Sequence, residues 1–169
     1  MIFVCVGTQL PFDRLIGAVD DWARQRERTD VFAQIAGGKA PSFIKHAPFI
    51  DAEEVHQRLA KSEVAVSHAG MGTILTAMHV GTPLIIMPRR AELNEHRNEH
   101  QIETARSLVR PGQIFVAEDE HQLPGLIDEV LAAKHTPADA NTTLGDDEAQ
   151  HPRDRLIAAL RGIVDPATA

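Results

Sequence analysis

The sequence predicts an α/β fold: one parallel sheet with helices on both faces. Three observations carry this expectation. Short apolar runs recur at residues 2–6, 31–36, 64–68, 84–87 and 114–116, and each reads as a buried strand. Stretches with apolar residues at helical spacing lie between them. Turn-forming glycines and prolines close most of the runs. Strands that alternate with helices in this way build parallel sheets.

The first strand, 2–6, is broken by Gly7-Thr8-Gln9-Leu10-Pro11. Phe12, Leu15, Ile16, Val19 and Trp22 then recur at the period of a helix. The second strand, 31–36, ends at Gly37-Gly38. Residues 43–50 read as extended, interrupted by His46 and Pro48. Asp51 is placed to cap a helix that holds Val55 and Leu59, with Glu54 as its capping-box partner. The strand 64–68 runs into a glycine turn and a helix from about Thr73 to His79, which Gly81-Thr82-Pro83 stops. After the strand 84–87, residues 94–108 read as a polar helix with Ile102, Ala105 and Leu108 as a thin apolar stripe. Pro111-Gly112 turns into the strand 114–116, and a helix follows over 123–133. The organisation expected is therefore a domain over 1–134, a polar linker over 135–154 and a C-terminal segment, 155–169, built on an amphipathic helix at 155–164.

A chain of 169 residues with 43% hydrophobic content suits one domain around one core. A net charge of −7 lacks the broad positive footprint of a nucleic-acid binder. The single cysteine, Cys5, rules out an internal disulfide and reads as a buried thiol in a reducing compartment. The N-terminal apolar run is too short for a signal sequence, and no stretch approaches the ~20 apolar residues of a membrane span. The expectation is a soluble chain whose anion contacts come from local groups.

Two segments supply such groups. Ser67-His68-Ala69-Gly70-Met71-Gly72-Thr73 joins a strand to a helix. Helix N-termini carry a partial positive charge and unpaired N–H groups, which suit a phosphate. The strand 84–87 ends in Pro88-Arg89-Arg90. In a parallel sheet both segments reach one rim, where open α/β sheets bind ligands. Gly7-Thr8-Gln9 reaches that rim too, either as an ordinary turn or as a phosphate loop. Gly70-x-Gly72 lacks the third small residue of a dinucleotide fingerprint, because Leu75 stands there, and no acidic ribose ligand follows. His68, at the strand end, is either a hydrogen-bonded structural residue or a catalytic one. His96-Arg97-Asn98-Glu99-His100 fits a zinc-peptidase pattern, His-x-x-Glu-His. The same segment, with Glu95, Asn98 and Gln101, can instead hydrogen-bond a polyhydroxylated ligand. No Asp-x-Asp pair is placed to hold Mg²⁺ or Mn²⁺.

Taken in order, residues 6–13, 67–75, 81–90 and 95–101 resemble the family-28 C-terminal domain of GT-B glycosyltransferases. The resemblance covers about residues 1–130 and is strongest to the small Alg13-like subunits, with the Pro-Arg-Arg and His-Arg-Asn-Glu-His-Gln segments closest to bacterial exopolysaccharide subunits of the PssE or EpsE type. It implies a single Rossmann-like domain, half of a GT-B fold. It implies a UDP-sugar site in which Gly7, Thr8, Gln9, Ser67, Gly70, Met71, Gly72, Thr73 and Arg89 meet the nucleotide phosphates. Phe49 and Ile50 seat uracil, and Glu95, Arg97, Asn98 and Gln101 contact the donor sugar. Thr76 stands where two-domain relatives carry an acidic ribose ligand.

The activity implied is inverting transfer of a hexose from a UDP-sugar to a lipid-linked saccharide acceptor in exopolysaccharide synthesis, with no metal and no cofactor. Helix N-termini and arginines would stabilise the departing UDP. The general base is either His68 or a group on a partner subunit. A GT-B enzyme needs two such domains, so the acceptor half is expected from a membrane-anchored Alg14-like subunit. That partner would hold this cytoplasmic chain at the inner face of the membrane, with the 155–164 helix as a docking element. Two alternatives accompany this reading: a non-catalytic nucleotide-sugar-binding or regulatory subunit, and a zinc peptidase using His96 and His100.

Overall fold

A computed structural model describes residues 1–93, 95 and 112–135. All lie within one compact unit, Met1–Thr136. The expected polar helix, apart from Glu95, falls outside the described residues, as do the linker from residue 136 on and the C-terminal helix.

Six parallel strands form one sheet: β1 Ile2–Cys5, β2 Val31–Gln34, β3 Lys45–Ala47, β4 Val64–His68, β5 Leu84–Met87 and β6 Ile114–Val116. Their order across the sheet is β3-β2-β1-β4-β5-β6. The helices are α1 Asp13–Gln25, α2 Ala52–Lys61, α3 Met71–Val80 and α4 Leu123–His135, with a short 3₁₀ turn at Ala91–Leu93. The strand order reverses direction between β1 and β4, where Cys5 lies opposite Ser67. At such a switch the loops leaving the two central strands diverge and open a crevice.

Apolar cores cover both faces of the sheet. Ile2, Val4 and Val66 pack with Leu15, Val19 and Trp22 of α1 and with Ile127 and Val130 of α4. Phe3, Ala65 and Ile86 pack on the other face with Leu59 of α2 and with Ile74 and Ala77 of α3. The alternation along β1 explains why the whole run 2–6 is apolar: successive side chains enter opposite cores.

The third strand is shorter than the extended run 43–50. The N–H groups of Ser42, Phe43 and Ile44 are taken by the carboxylate of Asp20 on α1, at 2.9–3.0 Å, so this stretch is tied to a helix before it can pair. Pro48 has no N–H and ends the strand. Helix α3 starts at Met71, two residues ahead of the expected Thr73, and runs to Val80. Gly81 closes it in the left-handed conformation, φ 74°. The cap on α2 forms as expected, with Asp51 accepting the Glu54 N–H at 2.7 Å. The reciprocal half of the capping box does not, because the Glu54 carboxylate accepts from Arg58 one turn on.

Asp20 is 5% exposed. Burial pushes its carboxyl up, but the N–H groups of Ile44, Ser42 and Phe43 outweigh that and hold it below the usual carboxylate range. Asp20→Asn keeps the shape and loses one acceptor oxygen, so it is expected to cost about 2 kcal/mol at neutral pH. A carboxyl depressed in the folded state contributes stability above its unfolded pKa and loses it as pH falls. The gap between wild type and Asp20→Asn in urea melts should therefore close below about pH 4. A gap that stays constant down to pH 2 would count against the carboxylate.

Candidate functional site

A cleft of about 500 Å³ opens at the carboxyl ends of β1 and β4. One wall is the loop Gly7, Thr8, Gln9 and Leu10; the other is the start of α3, with Gly70, Gly72, Thr73 and Thr76. Ile50, Ala52 and Val55 close the side towards α2, and His68, Cys5 and Gln34 lie at the base. Arg89 also borders it. The topology thus brings together two glycine loops that stand more than sixty residues apart.

The two loops can approach because they lack side chains where the His68 ring lies. A Cβ on Gly7 would fall 2.8 Å from His68 Cε1, and one on Gly70 would fall 2.2 Å from His68 Nε2. Gly7 also has φ 77°, which glycine adopts without strain. The imidazole is therefore packed between two bare backbones, half-buried, with Nδ1 3.4 Å from the Ser67 hydroxyl.

Helix α3 has no side-chain cap, and the Ile74 N–H bonds to the Gly70 carbonyl at 3.2 Å. The N–H groups of Met71, Gly72 and Thr73 precede that bond, at the positive end of the helix dipole. This edge of the cleft suits an anion. The Thr76 hydroxyl donates to the Gly72 carbonyl at 2.8 Å, one turn back.

Several side chains expected at the ligand have other partners. Ser67 is fully buried and donates to the Cys5 carbonyl at 2.7 Å, so its hydroxyl joins β4 to β1. Met71 packs against the core beneath α3. Phe49 is 56% exposed and does not line the cleft, whereas its neighbour Ile50 does. Arg89 is 2% exposed. Its guanidinium donates to the carbonyls of Val6, Leu10 and Pro11 at 2.9, 2.7 and 2.6 Å and lies over the Phe12 ring. Burial draws its pKa down. Arg89 therefore holds the Gly7–Pro11 loop from behind.

Glu95, expected at the donor sugar, is also committed. It forms a two-pronged pair with Arg14 of α1, both contacts at 2.8 Å, and accepts the Arg90 N–H at 3.0 Å. Arg14 reaches Glu120 as well, at 2.6 Å. Glu95 and then Glu120 raise the Arg14 pKa, and Arg14 in turn holds the Glu120 carboxyl below its usual value. Arg97, Asn98, Gln101, His96 and His100 lie outside the described residues. Arg14 and Gln34 are contributors that sequence reasoning missed. Gln34 could have been noticed as the lone polar residue in a buried strand; nothing in the pattern around Arg14 singles it out.

The family model for the glycosyltransferase family 28 C-terminal domain matches residues 1–157. The chain belongs to this family. Among relatives of the family-28 domain, the UDP-N-acetylglucosamine transferase subunit ALG13 of Cryptococcus neoformans is 36% identical over 64 residues, covering 37% of this chain and 30% of that protein. The subunit of the same name from Debaryomyces hansenii is 33% identical over 82 residues, 46% of this chain and 37% of that one. The matches thus span about a third of either relative. The solved glycotransferase of kitacinnamycin superposes with a TM-score of 0.58 at 18% identity, over 79% of this chain and 35% of that one. Glycosyltransferase VinC in complex with DTDP gives 0.51 at 20%, over 79% and 33%. This family-28 domain therefore has the Rossmann-like fold that makes up half of a GT-B glycosyltransferase.

Proposed function

We propose that this family-28 domain is the donor-binding subunit of a two-component, inverting glycosyltransferase. It moves a hexose from a UDP-sugar to a lipid-linked saccharide acceptor in exopolysaccharide synthesis. The observation that carries the reading is the cleft at the β1–β4 switch, with the bare amides of α3 on one side and the Gly7–Leu10 loop on the other. Ile50 and Val55 supply an apolar side for a base. The diphosphate lies on the amides, which stabilise charge as the bond from the anomeric carbon to the UDP oxygen breaks. The acceptor hydroxyl attacks from the opposite side and gives its proton to a base. His68 is the candidate for that base, or steadies the diphosphate beside it. The named sugar of the fungal relatives makes UDP-N-acetylglucosamine the first donor to try.

The acceptor half comes from a second polypeptide, an Alg14-like membrane-anchored subunit, which keeps this chain at the cytoplasmic face. Thr76 supports a second reading: a hydroxyl turned to its own helix gives weaker ribose recognition than a carboxylate, as suits a subunit that binds nucleotide-sugar without turning it over.

Calorimetric titration with UDP, with and without EDTA, tests the site. Equal binding in both conditions is the expected result. Absence of binding, both alone and in the co-purified pair, would remove the nucleotide reading. Binding without turnover in the pair would favour the second reading.

A further inference from the structure

Gln34 closes β2 at the base of the cleft, and only 2% of it is exposed. Its side-chain nitrogen has two hydrogens and two carbonyls to receive them. One bond goes to the Gly7 carbonyl and one to the Pro48 carbonyl, each at 2.9 Å. The Cys5 thiol donates to its side-chain oxygen at 3.4 Å, which fixes the direction in which the amide points. The backbone on either side is already anchored: Val6 N–H bonds to the Gln34 carbonyl, and Ala36 N–H bonds to the Pro48 carbonyl. Gly7 begins one wall of the cleft, and Pro48 lies two residues before Ile50 in another.

From this geometry we infer that Gln34 is a positioning residue that sets the separation of two subsites, the loop at 7–10 and the segment at 48–50. The inference rests on the nucleotide reading above. A ligand that spans both subsites gains from a fixed spacing, because its second end binds without a further loss of freedom. A ligand that fills one subsite does not need the spacing. Glutamate at this position has the same shape but sets a carboxylate against two carbonyls. Methionine fills the volume and donates nothing.

The experiment compares UDP with uridine and inorganic pyrophosphate, each by competition or titration, on the wild type, Gln34→Met and Gln34→Glu. UDP affinity should fall about tenfold or more in both variants, while uridine and pyrophosphate each change by less than about threefold. Equal losses for all three ligands would reduce Gln34 to a structural residue, and unchanged UDP affinity would overturn the inference outright. Wild-type protein that fails to bind UDP both alone and in the co-purified pair sinks the nucleotide reading instead, a separate outcome. Hydrogen exchange on the wild type decides the matter if the variants do not fold. Uridine alone should then slow exchange at Thr8, Gln9 and Leu10 as well as at Phe49 and Ile50. Slowing confined to Phe49 and Ile50 would overturn the coupling.

Discussion

Gly70→Ala is expected to lower stability by about 2 kcal/mol and to weaken UDP binding at least tenfold. The added methyl carbon would stand 2.2 Å from His68 Nε2 and 2.5 Å from Cε1. The room for the ring to move is limited, because the Gly7 backbone also lies close to its Cε1–Nε2 edge. Either the imidazole leaves its place or the first turn of α3 shifts, and both spoil the amide edge of the cleft. The double variant with His68→Ala removes the clash. It should recover most of the lost stability, since residues in direct contact couple by 0.5–3 kcal/mol. Thermal melts of the two single variants and the double variant supply the cycle. Strict additivity would show that the ring and the glycine do not meet.

Arg89→Ala should have the larger thermodynamic effect. Three carbonyls, of Val6, Leu10 and Pro11, lose their donor in a buried setting. The cost is expected at about 3 kcal/mol, or roughly 6–12 °C in Tm for a chain of this size. Arg89→Lys should recover little, because a single ammonium cannot reproduce the planar fork that meets the carbonyls and stacks on Phe12. UDP affinity should fall along with stability as the loop loses its shape. A variant with normal Tm and weakened UDP binding would return Arg89 to the role of a direct anion contact.

The sequence revealed the layers and the rim but not the side-chain pairings. Residues 64–68, 84–87 and 114–116 form strands at the bounds read from their apolar runs, because burial on both faces leaves a continuous signature. The glycine at 81 ends α3 through the left-handed geometry that its lack of a Cβ makes available. Gly7 and Gly70 converge on one cleft, as the parallel arrangement implied. Arg89 and Glu95 are where the reading departs from the structure. Both lie at the rim, but their partners are Val6, Leu10, Pro11 and Arg14, about eighty residues earlier. Periodicity tells which face a side chain occupies; it carries no information on which distant carbonyl or carboxylate it meets there. The short β3 has the same origin, since the amides of Phe43 and Ile44 just before it are claimed by Asp20 on a different element.

Arg89 fastens the end of β5 to the loop after β1, and Gln34 fastens the end of β2 to that loop from the other side. The Gly7–Leu10 wall of the cleft is therefore tied to strands on both sides of β1. Ligand bound there stabilises the folded state as a whole. Its affinity should be readable as a rise in melting temperature that grows with the logarithm of ligand concentration.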